Sequence, residues 1–194
     1  MDLRLTDNLN EYPMYCRIIC LLFSALLLAL GACQEYQSSS KGKQKVQNVK
    51  IITDTVVQDS LFKVLDRLTN ESIPEMKRRD SLVFLMLPLQ ASCPNCRKKT
   101  IDSIVKYKDR LDGEHYVIII GNGSKSIEGY FSQQNKHMPY AHGIFYDTTE
   151  LSASAGMRFT NPNIYYSYNK RVYQKVSCLP ATIKADLHNF FYNQ

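Results

Sequence analysis

Tryptophan is absent from this 194-residue chain, and several patterns that would assign a class at once are missing too. There is no arginine-rich block and no stripe of basic residues interleaved with aromatics, and the net charge of +6 is mild. Nucleic acid is therefore not an expected partner. No apolar run reaches the ~20 residues that a membrane-spanning helix needs. No internal repeat occurs, and no low-complexity tract beyond one short Ser/Gln/Lys-rich stretch. The chain has a single Cys-x-x-Cys, so a four-sulfur zinc site built from two such pairs is excluded. The six cysteines (Cys16, Cys20, Cys33, Cys93, Cys96 and Cys178) are spaced too unevenly, in too long a chain, for a disulfide scaffold. What remains is an ordinary globular balance, 44% hydrophobic and 22% charged, with enough apolar surface for a core.

The first 32 residues read as an address. Ile18–Leu30 is uncharged and apolar for about 13 residues, follows Arg17, and runs into Gly31, Ala32 and Cys33. That length suits a signal-peptide core. Leu30-Gly31-Ala32-Cys33 resembles the bacterial lipobox, which implies cleavage before Cys33, diacylation of Cys33 and a lipid anchor. Two acyl chains give stable anchoring where one is marginal. Asp2, Asp7 and Glu11 against Arg4 make the stretch before Arg17 acidic, which a signal peptide avoids; translation from Met14 repairs this. An uncleaved anchor helix is the alternative. On either reading the globular part, residues 46–194, faces away from the cytoplasm, with a bacterial membrane and its periplasmic side as the expected place. Residues 33–45 read as a lipidated cysteine and a flexible tether. Within it, Lys41-Gly42-Lys43-Gln44-Lys45 reads as a solvated linker with at most a weak attraction to anionic head groups.

The chemistry centres on Cys93-Pro94-Asn95-Cys96. The apolar run Leu82–Leu87 lies just before it, and a helical pattern through Ile101, Ile104 and Val105 opens straight after it. Two thiols at this spacing, where a buried strand passes into a helix, can close into a small disulfide ring and reopen. Pro94 suits the first helical position.

Periodicity and turn residues divide the rest of the chain. Strand-forming residues at 46–55 precede a helix carrying Val57, Leu61, Val64, Leu65 and Leu68, capped by Asp54 or Thr55. His115–Ile120 is a second continuous apolar strand, 126–134 a helix, 143–146 a short strand and 150–156 a helical turn. Residues 164–168 and 172–176 flank Asn169-Lys170-Arg171 as a β-hairpin, and a helix over 181–192 closes the domain. The order β-α-β-α-β-α-β-α-β-β-α predicts an α/β fold with a central mixed sheet and helices on both sides.

With these motifs in this order, the chain resembles the thioredoxin superfamily, and most of all its membrane-anchored TlpA/ResA-type thiol–disulfide oxidoreductases. The resemblance covers roughly Val46 to Asn193. It rests on strand–Cys93-Pro94-Asn95-Cys96–helix, and on Asn161-Pro162 before Ile164–Tyr168, the turn at Asn169-Lys170-Arg171 and Val172. Asp147, Leu151 and Ala153–Gly156 resemble the stretch before this proline in TlpA-like and peroxiredoxin-like members. The resemblance implies a thioredoxin-like fold and a cis Pro162 packed against the redox pair; a plain trans proline opening an edge strand is the alternative. Three departures stand out. Ser92 replaces the usual tryptophan, Leu87 falls where many thioredoxins carry a buried acid, and Pro94-Asn95 replaces Gly-Pro.

At the helix N-cap, Cys93 faces unpaired N–H groups and the positive end of the dipole, which favour thiolate. Cys93 is thus the expected nucleophile and Cys96 the resolving thiol. Pro94, Asn95, Asn161 and Pro162 are the expected substrate-binding residues, with the Asn161 backbone pairing with the substrate chain. Arg97, Lys98 and Lys99 read either as charges that hold a thiolate or attract an acidic partner, or as a solvated run. The expected partners are protein thiols and disulfides, with a membrane donor or acceptor of electrons. Apart from the Cys93–Cys96 disulfide itself no cofactor, and no metal, is expected. Two rival readings remain: a Sco-like copper or zinc carrier, with His137 or His142 as third ligand, and a non-catalytic partner-binding lipoprotein whose thirteen tyrosines make the contact surface. Peroxidase chemistry is not expected, because Gln90-Ala91-Ser92-Cys93 lacks the Thr/Ser-x-x-Cys setting. Cys178 reads as a buried thiol.

Overall fold

A computed structural model of the chain describes residues 48–91 and 93–192. The expectations for residues 1–32, Met14, Cys33 and the 33–45 tether lie outside the described residues, as does Ser92. Within them the elements run β1 (Val49–Ile51), α1 (Thr55–Leu68), β2 (Leu82–Pro88), α2 (Pro94–Tyr107), β3 (His115–Ile120), α3 (Ser124–Gln133), β4 (Ile144–Asp147), α4 (Leu151–Ser154), β5 (Asn163–Tyr168), β6 (Arg171–Ser177) and α5 (Ile183–Tyr192). That is the order expected from the sequence. The first strand is shorter than expected, and α2 gives way to a 3-10 turn at Lys108–Arg110.

The six strands form one mixed sheet in the order β1-β6-β5-β2-β3-β4. β2, β3 and β4 are parallel, while β5 and β6 form an antiparallel hairpin against β2. Asn169 and Lys170 both have positive φ, 50° and 61°, so the hairpin closes on a two-residue turn of the type that matches strand twist. Alternation along β2 sends Phe84 and Met86 to one face, under α1, and Leu85 and Leu87 to the other, under α2, α3 and α5. Phe84 is fully buried between Phe62, edge-on at 6.5 Å, and Tyr116, stacked at 5.5 Å. A Cβ on Gly121 would lie 2.4 Å from Ile127, so only glycine lets α3 come this close to the end of β3. The result is an α/β, thioredoxin-like arrangement in which strand–Cys-x-x-Cys–helix and proline–strand–turn–strand meet in one sheet.

Local sequence explains the helix starts. Asp54 caps α1, its carboxylate accepting from Val56 N at 2.8 Å and Val57 N at 3.2 Å. Chemical denaturation should rank three substitutions. Phe84→Ala should cost ~3–5 kcal/mol. Asp54→Ala should cost about 1 kcal/mol. Val56→Ala, at a side chain 75% exposed, should stay within ~0.5 kcal/mol.

Candidate active site

β2 ends at Pro88 beside Ile120 of β3, and Leu89 N donates to Ile120 O at 2.9 Å. Ala91 N closes a turn on Pro88 O, and the chain enters α2. The site thus lies at the carboxyl end of the central parallel strand, where β2 has a parallel neighbour on one side and an antiparallel one on the other. Ligands collect at such points in open α/β sheets. Because β5 runs antiparallel, its first residue, Asn163, stands opposite Met86 near the end of β2. Asn161 and Pro162 are therefore brought to the same end of the sheet as Cys93.

Cys93 is the N-cap of α2, in extended conformation, with Pro94 at the first helical position. Its sulfur accepts from Cys96 N at 3.2 Å, and its carbonyl accepts the first helical bond from Arg97 N at 3.0 Å. Cys93 and Cys96 form a disulfide with a Cα–Cα distance of 5.3 Å. Their surroundings differ sharply. Cys93 is half-buried and Pro94 and Asn95 are exposed, whereas Cys96 is wholly buried in the core cluster that also holds Leu85, Leu87, Leu89 and Ile101. Leu87 thus sits in the apolar shell on the Cys96 side, in the place of an acid.

The basic run after Cys96 is not uniform. Arg97 is half-buried, donates from Nη1 to Leu89 O at 2.6 Å, and lies 5.2 Å from the Tyr130 ring centroid. It is neither a solvated charge nor a free one, because its guanidinium clasps the loop before Cys93. Lys98 and Lys136 both reach the Asp102 carboxylate, at 2.6 and 2.7 Å. Hydrogen bonds from Lys136 and then Lys98 hold that carboxyl below its usual range.

Pro162 is buried at the mouth of β5. No peptide bond among the described residues is cis, so the cis geometry implied by the resemblance is not present. Two contacts hold the trans segment, which is also the cheaper isomer by ~0.5–1 kcal/mol. The Asn163 side-chain amide donates to Asn161 O at 2.7 Å, and Cys178 N donates to Pro162 O at 2.8 Å. Nor does Pro162 open an edge strand, since β5 lies between β2 and β6. Asn163 was not singled out in the sequence. Its buried side chain also accepts from Ser177 Oγ at 2.9 Å, tying the segment to β6. The signal was there: a lone polar residue between a proline and an apolar strand. Tyr130 and Lys136 were also missed, and they carried no local signal.

His137 and His142 are exposed in the loop between α3 and β4. Among the described residues, no three His, Cys, Asp or Glu side chains come together to hold a metal ion. The third ligand that a metal carrier requires is not assembled there. Asp147 near α4 is buried and satisfied by Leu151 N, Ser152 N and Ser152 Oγ, a structural cap. Cys178 is a free, buried thiol, and burial raises its pKa. Among the described residues, no helix is long and apolar enough to cross a membrane.

No family model and no curated protein matches the chain. Solved structures do. A protein described as the thiol:disulfide interchange protein DsbE, from Chlorobium tepidum, is 17% identical with a TM-score of 0.35, the match covering 57% of this chain and 77% of that one. A DsbF homologue from Corynebacterium diphtheriae is 15% identical with a TM-score of 0.33, over 57% of this chain and 71% of that one. A conserved protein of unknown function from Bacteroides fragilis is 21% identical with a TM-score of 0.31, over 50% and 74%.

Burial sets the thiol reactivities apart. In the reduced, folded protein, iodoacetamide should modify Cys93 rapidly, and Cys96 and Cys178 only after unfolding; peptide mass spectrometry reads this directly. The Cys178 thiol keeps its proton to higher pH in the folded state than in the unfolded one. Stability should therefore fall as pH rises past the unfolded thiol value of ~8.5, and Cys178→Ala should remove that part of the slope.

Proposed function

We propose that this protein is a thiol–disulfide oxidoreductase that exchanges disulfides with protein substrates, with Cys93 as nucleophile and Cys96 as resolving thiol. One observation carries the reading: the pair is bonded at the start of α2, with Cys93 half-buried and Cys96 wholly buried.

The chemistry follows from that asymmetry. The Cys93 thiolate attacks one sulfur of a substrate disulfide, forming a mixed disulfide and releasing the other sulfur as thiolate. The Cys96 sulfur then attacks Cys93, closes the ring and releases the second substrate sulfur. Two electrons pass from the pair to the substrate, and the Cys96 proton leaves on a departing thiolate. Run backwards, the same steps oxidise a substrate dithiol. The pair holds the electrons itself, so the exchange needs no further cofactor. The Cys96 amide and the end of α2 favour thiolate at Cys93. Pro94 and Asn95 offer the exposed face over which a substrate cysteine approaches, and Asn161 and Pro162 form the opposing wall.

The anchor belongs to the same proposal and rests on sequence. Leu30-Gly31-Ala32-Cys33 would leave Cys33 lipidated and the domain tethered outside the cytoplasm. There the pair would be recharged by a membrane donor or acceptor of electrons.

Cys96→Ser should accumulate mixed disulfides with partner proteins on non-reducing gels, and Cys93→Ser should not. Equal trapping by both variants would overturn the assignment of roles. The potential of the pair gives the direction: about −270 mV marks a reductant and about −120 mV an oxidant. Cys33→Ala should abolish incorporation of labelled palmitate, and its persistence would remove the anchor.

A further inference from the structure

Beside the redox pair lies a cleft of about 240 Å³, lined chiefly by Pro94, Arg97, Lys98, Ile101, Tyr130 and Lys136. Its charges do not balance. Three lining residues are cations and none is acidic. The carboxylate that Lys98 and Lys136 contact is Asp102, and they share it. One carboxylate cannot neutralise three cations, and the N-terminal end of α2 adds its own positive potential. Arg97 is fixed rather than mobile, because Leu89 O and the Tyr130 ring hold its guanidinium. Its Nε is buried and has no hydrogen-bond partner among the described residues. Of the remaining walls, Gln134 is polar and uncharged, and Pro94, Ile101 and the Tyr130 ring are apolar.

Position says what such a cleft would meet. Pro94 adjoins Cys93, so any chain joined to Cys93 through a mixed disulfide passes within a few residues of the opening. We infer that the cleft docks an acidic segment of the protein substrate, a Glu or Asp close in sequence to its reacting cysteine. The inference rests on the exchange reaction proposed for Cys93 and names its substrate class. Lys98, 72% exposed, and Lys136 steer the acidic segment in. Arg97 receives it without first losing side-chain freedom. Pro94, Ile101 and Tyr130 cover the apolar neighbours of the acid.

The test uses the reduced full chain and three synthetic peptides. Each carries one cysteine as a mixed disulfide with thionitrobenzoate, and they differ only in the residues flanking it: Glu, Ser or Lys. At ~10 mM salt, thionitrobenzoate release should be ~10–100-fold faster for the Glu peptide than for the Lys peptide, shrinking to within ~3-fold at ~1 M salt. Lys98→Glu with Lys136→Glu should reverse the order. Because charge reversal beside Asp102 can disturb α2, Lys98→Gln with Lys136→Gln is run alongside and should abolish the preference without reversing it. A second arm measures binding alone, by titration calorimetry of the Cys93→Ser/Cys96→Ser protein with the same peptides carrying serine for cysteine. Glu-selective binding that the lysine variants abolish, together with no thionitrobenzoate release by the reduced chain with both cysteines intact, would sink the oxidoreductase reading and leave the acidic docking cleft standing. Exchange at rates indifferent to flanking charge, with no selective binding, would overturn the cleft and leave the oxidoreductase. A Glu preference unchanged in the lysine variants would also overturn it, as would the absence of both exchange and selective binding.

Discussion

Everything in this fold hangs on the burial of β2. Leu82 and the stretch Phe84–Leu87 have no exposed surface, because β5 and β3 flank the strand and helices cover it on both faces. Each such side chain contributes ~1.5–3 kcal/mol by leaving water. Alternation then divides the work. Phe84 and Met86 join α1 to the sheet, while Leu85 and Leu87 join α2 and α5. A strand fixed so firmly delivers its carboxyl end to one place, and the chain must turn there into α2. The Cys93–Cys96 pair inherits its position from the core rather than from its own contacts.

The same burial sets the two sulfurs apart. They belong to one helical turn, yet one meets a backbone N–H beyond the carboxyl end of β2 and the other is buried in the leucine-rich core cluster. A backbone N–H and the helix N-terminus face the Cys93 sulfur, while Cys96 is enclosed in the apolar core. Leu87 adds to the second effect, since an acid there would have offered a proton acceptor inside the shell. With leucine in its place, the proposed exchange would use the thiolate expelled from the substrate as its base. Cys178 shows what burial does without a helix N-terminus to offset it: the thiol pKa is raised.

Much of this was legible in the sequence, and the limit of legibility is physical. Period-3.6 and period-2 patterns, Asp54, Pro94 and Asn169-Lys170 act over a few residues, so element order and the N-cap cysteine could be read directly. The hairpin could be read because Asn169, a residue type that accepts positive φ, lies between two strand-patterned runs. What sequence did not yield depends on partners far apart in the chain. Arg97 meets Tyr130, Lys136 meets Asp102, and Cys178 meets Pro162 only after α2, α3 and β6 have docked. The isomer at Pro162 belongs to this group. Asn163 and Cys178 hold the trans bond, and neither contact leaves a mark on the dipeptide itself.

On the function proposed for Cys93 and Cys96 their disulfide opens and closes, and such a bond cannot also be the staple of its fold. Cys93 and Cys96 are three positions apart, so the ring closes a loop of only four residues. On the chain-entropy account a loop that short contributes ~2 kcal/mol, less than the ~3 kcal/mol of a fifteen-residue loop. The loop before Cys93 has other restraints. Leu89 is held through its N–H by Ile120 and through its carbonyl by Arg97, and Gln90 donates to Ser126 Oγ at 3.1 Å. None of these involves either sulfur. The bonds that hold this loop therefore do not depend on whether the two sulfurs are joined. The core supplies the rigidity, Arg97 transmits it to the loop, and the proposed function then leaves the cysteines free to change state.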